Sequence, residues 1–166
     1  MQRLVLGEGD IFAKLIIIGE APGAQEDLEG RPFIGKSGKL LRNLLIESGI
    51  NPSEDVYFCN VIKSRPPNNR KPTQSEIFLH RPWVFKQIEL VDPELVILVG
   101  STAMRTILEV KKPISTMRGK FIFKNKREYM SIFHPSYLLR FSRKVINNPY
   151  GLTLKDLQNV RNKLYN

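Results

Sequence analysis

Lys14-Leu-Ile-Ile-Ile-Gly19 is a short, β-branched apolar run closed by glycine, the pattern of a strand buried on both faces. Val56–Ile62 and Leu95–Val99 repeat that pattern, the second ended by Gly100, and two shorter strands are expected over residues 121–124 and 128–133. Between these runs the apolar positions take a helical period. Leu40, Leu41, Leu44, Leu45 and Ile46 fall on one face and stop before Gly49. Thr73-Gln-Ser-Glu76 has the spacing of a capping box and opens a helix that runs to about Val91. Ser101 opens another, and helical segments are expected at 136–142 and 153–164. Residues 20–38, rich in Gly and Pro, and Ser64–Pro72, with three prolines, read as irregular loops.

Strands that alternate with helices predict a single-domain α/β/α sandwich over residues 1–166, with a central, mainly parallel four-stranded sheet. In such folds ligands sit at the carboxyl ends of the strands. The loops after the four candidate strands begin near Gly19, Asn60, Gly100 and Phe133, and the chemically informative residues fall at those four places.

Composition narrows the classes. One cysteine, Cys59, excludes a disulfide framework and any four-cysteine metal site, and two histidines are too few for a histidine-rich one, so no metal and no cofactor is expected. No apolar run approaches the ~20 residues of a membrane span, and no basic segment leads into an apolar one at the start, so an intracellular protein (cytoplasm or nucleoid) without membrane contact is expected. Nothing suggests an obligate assembly, and a monomer is expected. The charge is lopsided: residues 1–110 carry 13 basic and 14 acidic side chains, whereas 111–166 carry 13 basic and two acidic. Such asymmetry points to a polyanion, nucleic acid before an anionic membrane surface, against the alternative of a merely solubilising face.

Gly30-Arg-Pro-Phe-Ile-Gly-Lys-Ser37 matches the string of a nucleotide-binding P-loop. Its context does not: it starts about ten residues past the strand, Pro32 removes an N–H that the cradle would need, and no strand ends in a metal-binding Asp. Asn60, at a strand end, can set a donor and an acceptor side by side against the O4 and N3–H edge of uracil, or simply satisfy its own loop. Ser101 can cap its helix or touch phosphate. His134, followed by Pro135 at a helix start, is held rigidly and can donate to an oxygen that gains negative charge, although a lone histidine is more often structural.

Together, Gly19-Glu-Ala-Pro-Gly23 with Glu26-Asp27, Arg31-Pro-Phe-Ile-Gly-Lys-Ser-Gly38, Asn60-Val-Ile-Lys-Ser-Arg-Pro-Pro-Asn-Asn-Arg70 and His134-Pro-Ser-Tyr-Leu-Leu-Arg140 resemble the uracil-DNA glycosylase superfamily, nearest its iron–sulfur-containing family four branch. The resemblance runs in order from about residue 14 to 141. It implies that DNA is the partner and that Phe33 stacks on a flipped uracil while Asn60 reads its edge, with Ala21 also against the base. It implies too that His134 bonds uracil O2, and that Glu20 and Glu26 are the first-motif acids. Ser37, Ser101, Ser136, Leu139 and Arg140 become the DNA contacts, with Ser136, Leu139 and Arg140 pinching phosphate and filling the gap left by the flipped nucleotide.

The branch it resembles binds a four-iron cluster through four cysteines. Here Ser64 and His80 stand at the two internal positions, the N-terminal pair has no counterpart, and Cys59 lies in a strand, so no cluster is expected. Pro66, Pro67, Pro72 and Pro82 are expected to stiffen the segment the cluster would hold. The function implied is hydrolysis of the N-glycosidic bond of deoxyuridine without strand cleavage, since no motif places a lysine as a Schiff-base nucleophile. The alternative is a non-catalytic DNA- or uracil-binding module on the same fold.

Overall fold

A computed structural model describes residues 2–141 and 145–166. Arg143 and Lys144, two of the basic residues counted in the final third, lie outside the described residues. In chain order the elements are β1 (Glu8–Gly9), β2 (Leu15–Gly19), α1 (Ala24–Glu29), α2 (Lys36–Ser48), β3 (Val56–Asn60) and a turn of 3-10 helix (Pro67–Asn69). Then come α3 (Gln74–Val91), β4 (Leu95–Val99), α4 (Ser101–Leu108), α5 (Ile114–Met117), β5 (Ile122–Lys124), β6 (Arg127–Ile132), α6 (Pro135–Leu138) and α7 (Pro149–Tyr165).

The sheet order is β1-β3-β2-β4-β6-β5. β3, β2, β4 and β6 pair in parallel, the four strands expected, and the antiparallel β1 and β5 widen the sheet to six. β1 has only two residues, too few to carry a period. β5 returns into β6 through Asn125 and Lys126, both at positive φ as a tight hairpin needs. Every residue of β2 and β4 is buried. Leu15, Ile17, Ile97 and Val99 face one layer with Leu41 and Leu44 of α2 and Leu157 and Val160 of α7. Ile16, Ile18, Val96 and Leu98 face the other with Val84 and Ile88 of α3 and Met104 and Ile107 of α4. Apolar burial on both faces holds the strand ends in a rigid row.

Local signals account for where the helices differ from expectation. α1 lies inside the segment expected to be irregular, and Glu26 makes it possible by reaching back to the Gly23 N–H. α7 begins at Pro149 rather than near 153, since Asn148 caps it by accepting the Gly151 N–H and Pro149 fits a first turn. α6 is shorter than the segment expected there. Pro82 lies inside α3 rather than in the loop. Gly100, not Ser101, is the N-cap of α4, so Ser101 makes no capping bond.

Arg118 and the buried Asp156 join the chain before β5 to α7 through bonds of 2.8 and 2.5 Å. Lys124 pairs with Glu109, Arg127 with Asp92 and Lys163 with Glu128. Glu109 and Asp92 come from outside the final third, whereas Asp156 and Glu128 are that third's own two acids, so only two of these pairs reduce its excess charge. The β5–β6 turn with Lys124, Lys126 and Arg127 also sits at the amino end of β6, the edge of the sheet opposite the strand carboxyl ends.

Candidate active site

β2 and β3 finish side by side, with Gly19 and Asn60 as register partners. The Gly100 N–H donates to the Ile132 carbonyl at 3.0 Å, which brings the end of β4 against the end of β6 and His134 beside Gly100. A cavity of about 570 Å³ opens over this rim. It gathers Glu20, Ala21, Glu26, Phe33, Ser37, Asn60, His134 and Ser136. Ser101, Leu139 and Arg140 do not line it; Leu139 and Arg140 are exposed just beyond α6.

The floor depends on Gly19. A Cβ there would lie 2.4 Å from Asn60 Oδ1 and 2.7 Å from Phe33 Cζ, so only glycine lets the amide and the ring share that space. Phe33 has φ +55°, a left-handed conformation that disfavours a bulky residue. Arg42 of α2 holds it there, donating from Nε to the Phe33 carbonyl at 2.8 Å and from Nη2 to the Pro32 carbonyl at 3.1 Å. The Arg42 guanidinium lies 4.2 Å over the Phe58 ring, itself 5.4 Å from the Phe33 ring. Gly38 packs so closely on the Phe33 backbone that a Cβ would be 2.1 Å from its carbonyl carbon. Asn60 is only 4 % exposed, yet its side-chain amide has no hydrogen-bond partner among the described residues. That amide faces the cavity with its donor and acceptor both open to a ligand or to water.

His134 is half-buried, and its Nδ1 accepts the Ser136 backbone N–H at 3.1 Å with Ser136 Oγ at 2.7 Å. A backbone N–H can only donate, so the proton of the neutral ring belongs on Nε2. Burial pushes the imidazole below its ordinary pKa, opposed in part by the Glu20 carboxylate, and so favours the neutral ring. Ser136, expected as a DNA contact, thereby fixes the histidine tautomer through both its amide and its hydroxyl.

The two acids have different work. Glu26 accepts the N–H groups of Gly23, Ile34 and Gly35 at 3.0–3.3 Å, so its carboxylate ties the motif loop together. Glu20 accepts one bond, from Thr102 Oγ1 at 2.5 Å to Oε2, and its other oxygen remains available at the cavity. Thr102 was not visible as a site residue in the sequence because its partner is 82 residues away.

Asn69, Arg70 and Pro66 supply a wall that was also missed. Arg70 makes a bidentate pair with Glu76 at 2.7 and 2.9 Å. That guanidinium, with the Thr73 N–H, holds the Glu76 carboxyl at about 2. The loop itself is fastened by hydrogen bonds: Gln2 Nε2 donates to the Arg65 carbonyl, the Val5 N–H to the Lys63 carbonyl, and the Lys63 N–H to His80 Nδ1 at 2.9 Å. The residues present do not suit an iron–sulfur cluster. His80 spends a ring nitrogen on Lys63, Ser64 offers no thiolate, and Cys59 is buried in β3 with its thiol pushed up to about 11. No group of three or more His, Cys, Asp or Glu among the described residues could hold a metal ion, and no helix among them is long and apolar enough to cross a membrane.

Residues 6–159 match the model of the uracil DNA glycosylase superfamily. The chain is 44% identical over 140 residues to a type-4 uracil-DNA glycosylase of Thermotoga maritima, covering 83% of this chain and 72% of that protein. It is 40% identical over 140 residues to a type-4 uracil-DNA glycosylase of Saccharolobus solfataricus, covering 82% of this chain and 65% of that one. It is also 34% identical over 134 residues to a DNA polymerase of Bacillus phage SP01, where the match takes up 81% of this chain but 14% of the polymerase.

An NMR titration of His134 tests the electrostatics of the rim. The ring is expected to stay neutral as the pH falls through about 6.5, the ordinary imidazole value, and to take its second proton only below it. The unfolded chain binds that proton first, so the histidine's share of stability is complete above about 6.5 and is lost as pH falls from there through the folded-state value. A ring that titrates at or above 6.5 contradicts the assignment.

Proposed function

Because the chain belongs to the uracil DNA glycosylase superfamily, we propose that it hydrolyses the N-glycosidic bond of a deoxyuridine flipped out of DNA, releasing uracil and leaving an abasic site. The observation that carries this reading is the buried Asn60 amide without a partner, set against the Phe33 ring across Gly19. In the proposed complex Nδ2 donates to uracil O4 and Oδ1 accepts N3–H. With the amide so oriented, cytosine would set donor against donor and lone pair against lone pair. Phe33 stacks on the base and offsets part of the few kcal/mol that unstacking takes.

As the C1′–N1 bond breaks, its electron pair leaves with the base and the sugar becomes an oxocarbenium ion. His134 donates from Nε2 to O2, where negative charge gathers, and the neutral tautomer fixed by Ser136 supplies that proton without transferring it. A water adds its oxygen to C1′ and gives up a proton toward the open oxygen of Glu20 or to solvent; the uracil anion is protonated from solvent. Glu20 rather than Glu26 suits the water, because the oxygens of Glu26 are committed to three backbone amides. Hydrolysis by water leaves an intact strand, a monofunctional excision. The amine of Lys63 is buried in bonds to Asn60 and Gln87 and does not line the cavity, unlike a Schiff-base nucleophile.

For the DNA, Ser37 in the first turn of α2 offers a hydroxyl and a free backbone N–H to phosphate. Leu139 and Arg140 at the rim form the proposed wedge and clamp, and Ser101 at the start of α4 is a further phosphate contact in the same proposal. The cavity is complete within one chain, so the active form is proposed to be the monomer, at work wherever the cell's DNA lies, in cytoplasm or nucleoid.

Incubation with single-stranded and duplex oligonucleotides containing uracil, followed by alkali, is expected to break the strand at uracil. Asn60→Ala and His134→Ala are each expected to slow the release about 100- to 1,000-fold while remaining folded. Gly19→Ala, whose methyl meets both Asn60 and Phe33, is expected to do at least as much. Tight binding to uracil-containing DNA without breakage would instead establish a binding module.

A further inference from the structure

Lys63 is 2 % exposed, as deeply buried as the core. Its Nζ donates to the Asn60 backbone carbonyl at 2.5 Å and, through a short bond, to Gln87 Oε1. Gln87 in turn donates from Nε2 to the Leu6 carbonyl at 2.6 Å and to Tyr57 Oη at 3.3 Å, which anchors α3 and the N-terminal segment behind the end of β3. The lysine backbone is pinned as well, its N–H by His80 Nδ1 and its carbonyl by the Val5 N–H. The other buried ionic side chain, Asp156, has Arg118 for a counter-ion. Lys63 has no carboxylate partner among the described residues; its bonded acceptors are neutral carbonyl oxygens.

A buried amine without a counter-ion is costly, and a place that needed only packing would be filled as well by Met or Leu. Burial pushes the amine's pKa down, while the two carbonyl oxygens favour the charged form. The cost becomes useful if the missing anion forms during the reaction. In the free site no anion answers the charge: the two acceptors are neutral oxygens, and the thiol of nearby Cys59 is pushed up to about 11. When the glycosidic bond breaks, a pyrimidine anion appears on the other side of Asn60. A charge that finds its complement only then favours the transition state over the ground state.

On the reading of the site as a uracil glycosylase, we propose that Lys63 is a positioning residue that acts through Asn60. It fixes the edge-reading residue from behind by its bond to the Asn60 carbonyl, and it keeps a buried positive charge one residue's thickness behind the cavity wall. Its contribution therefore depends on how much negative charge the leaving group must carry.

The test compares single-turnover release of uracil and of 5-fluorouracil from otherwise identical oligonucleotides, with enzyme in saturating excess, for wild type, Lys63→Met and Lys63→Gln. Fluorine withdraws electrons and makes the base a better leaving group that needs less help. Lys63→Met is expected to slow uracil release about 10- to 100-fold and 5-fluorouracil release by a clearly smaller factor. Lys63→Gln, which keeps a hydrogen-bond donor but no charge, is expected to share that difference. A preparation that is partly unfolded loses both rates by one factor and leaves their ratio intact, and Lys63→Gln serves should Lys63→Met fail to fold. Equal losses on the two bases, or full activity in Lys63→Gln, overturn the inference and leave Lys63 a structural tie. Wild-type protein that releases neither base defeats the glycosylase reading itself.

Discussion

The site rests on an amide that the protein buries and leaves unanswered. The Asn60 residue is buried, but its side-chain amide faces the cavity with no protein partner, and the surrounding residues hold it in that one orientation. Its backbone is fastened to Gly19 by the parallel register of β2 and β3, and its carbonyl to Lys63. A side chain at Gly19 would close the space in front of it. A planar ligand with complementary donors and acceptors meets an amide already oriented, whereas one with the opposite pattern would leave that amide buried and unpaired.

The same economy runs through the rest of the rim. Phe33 is held in a strained backbone conformation by Arg42 and by the close fit of Gly38, so the ring presents one face without having to be ordered on binding. His134 has its proton placed by Ser136, and Glu20 has one oxygen fixed by Thr102. Glu26 closes the loop that carries Phe33. Two glutamates six residues apart in one motif are thus separated by what their oxygens touch, not by their type.

Much of this was legible in the chain. β2, β3 and β4 announced themselves as apolar runs ended by Gly or Asn, because strands buried on both faces have little room for polar residues, while β6, with Arg127 and Glu128 at its half-buried start, gave a weaker signal. The motif loops lay at their ends, and Phe33, Asn60 and His134 do share one cavity. What stayed hidden depends on contacts between distant segments. Thr102 meets Glu20, Lys63 meets Gln87, and Arg42 reaches back to Phe33, and none of these pairings leaves a local pattern. The charge of the final third pointed to nucleic acid, in keeping with the family, but not to where on the fold each basic side chain lies. Arg118, Lys124, Arg127 and Lys163 are paired with acids, and the hairpin turn with Lys126 is at the far end of the sheet. β1 and α1 were missed because two residues show no period and because a helix after Gly23 depends on Glu26 folding back.

The most direct measurement is a crystal structure with DNA that carries a C-nucleoside isostere of deoxyuridine, whose carbon–carbon glycosidic bond cannot be hydrolysed. The account predicts the base extruded into the cavity, stacked on Phe33, with the Asn60 side-chain amide on its Watson–Crick edge and His134 Nε2 on the adjacent carbonyl. A base still stacked in the DNA, or one lodged with the Asn60 amide unpaired, would contradict it.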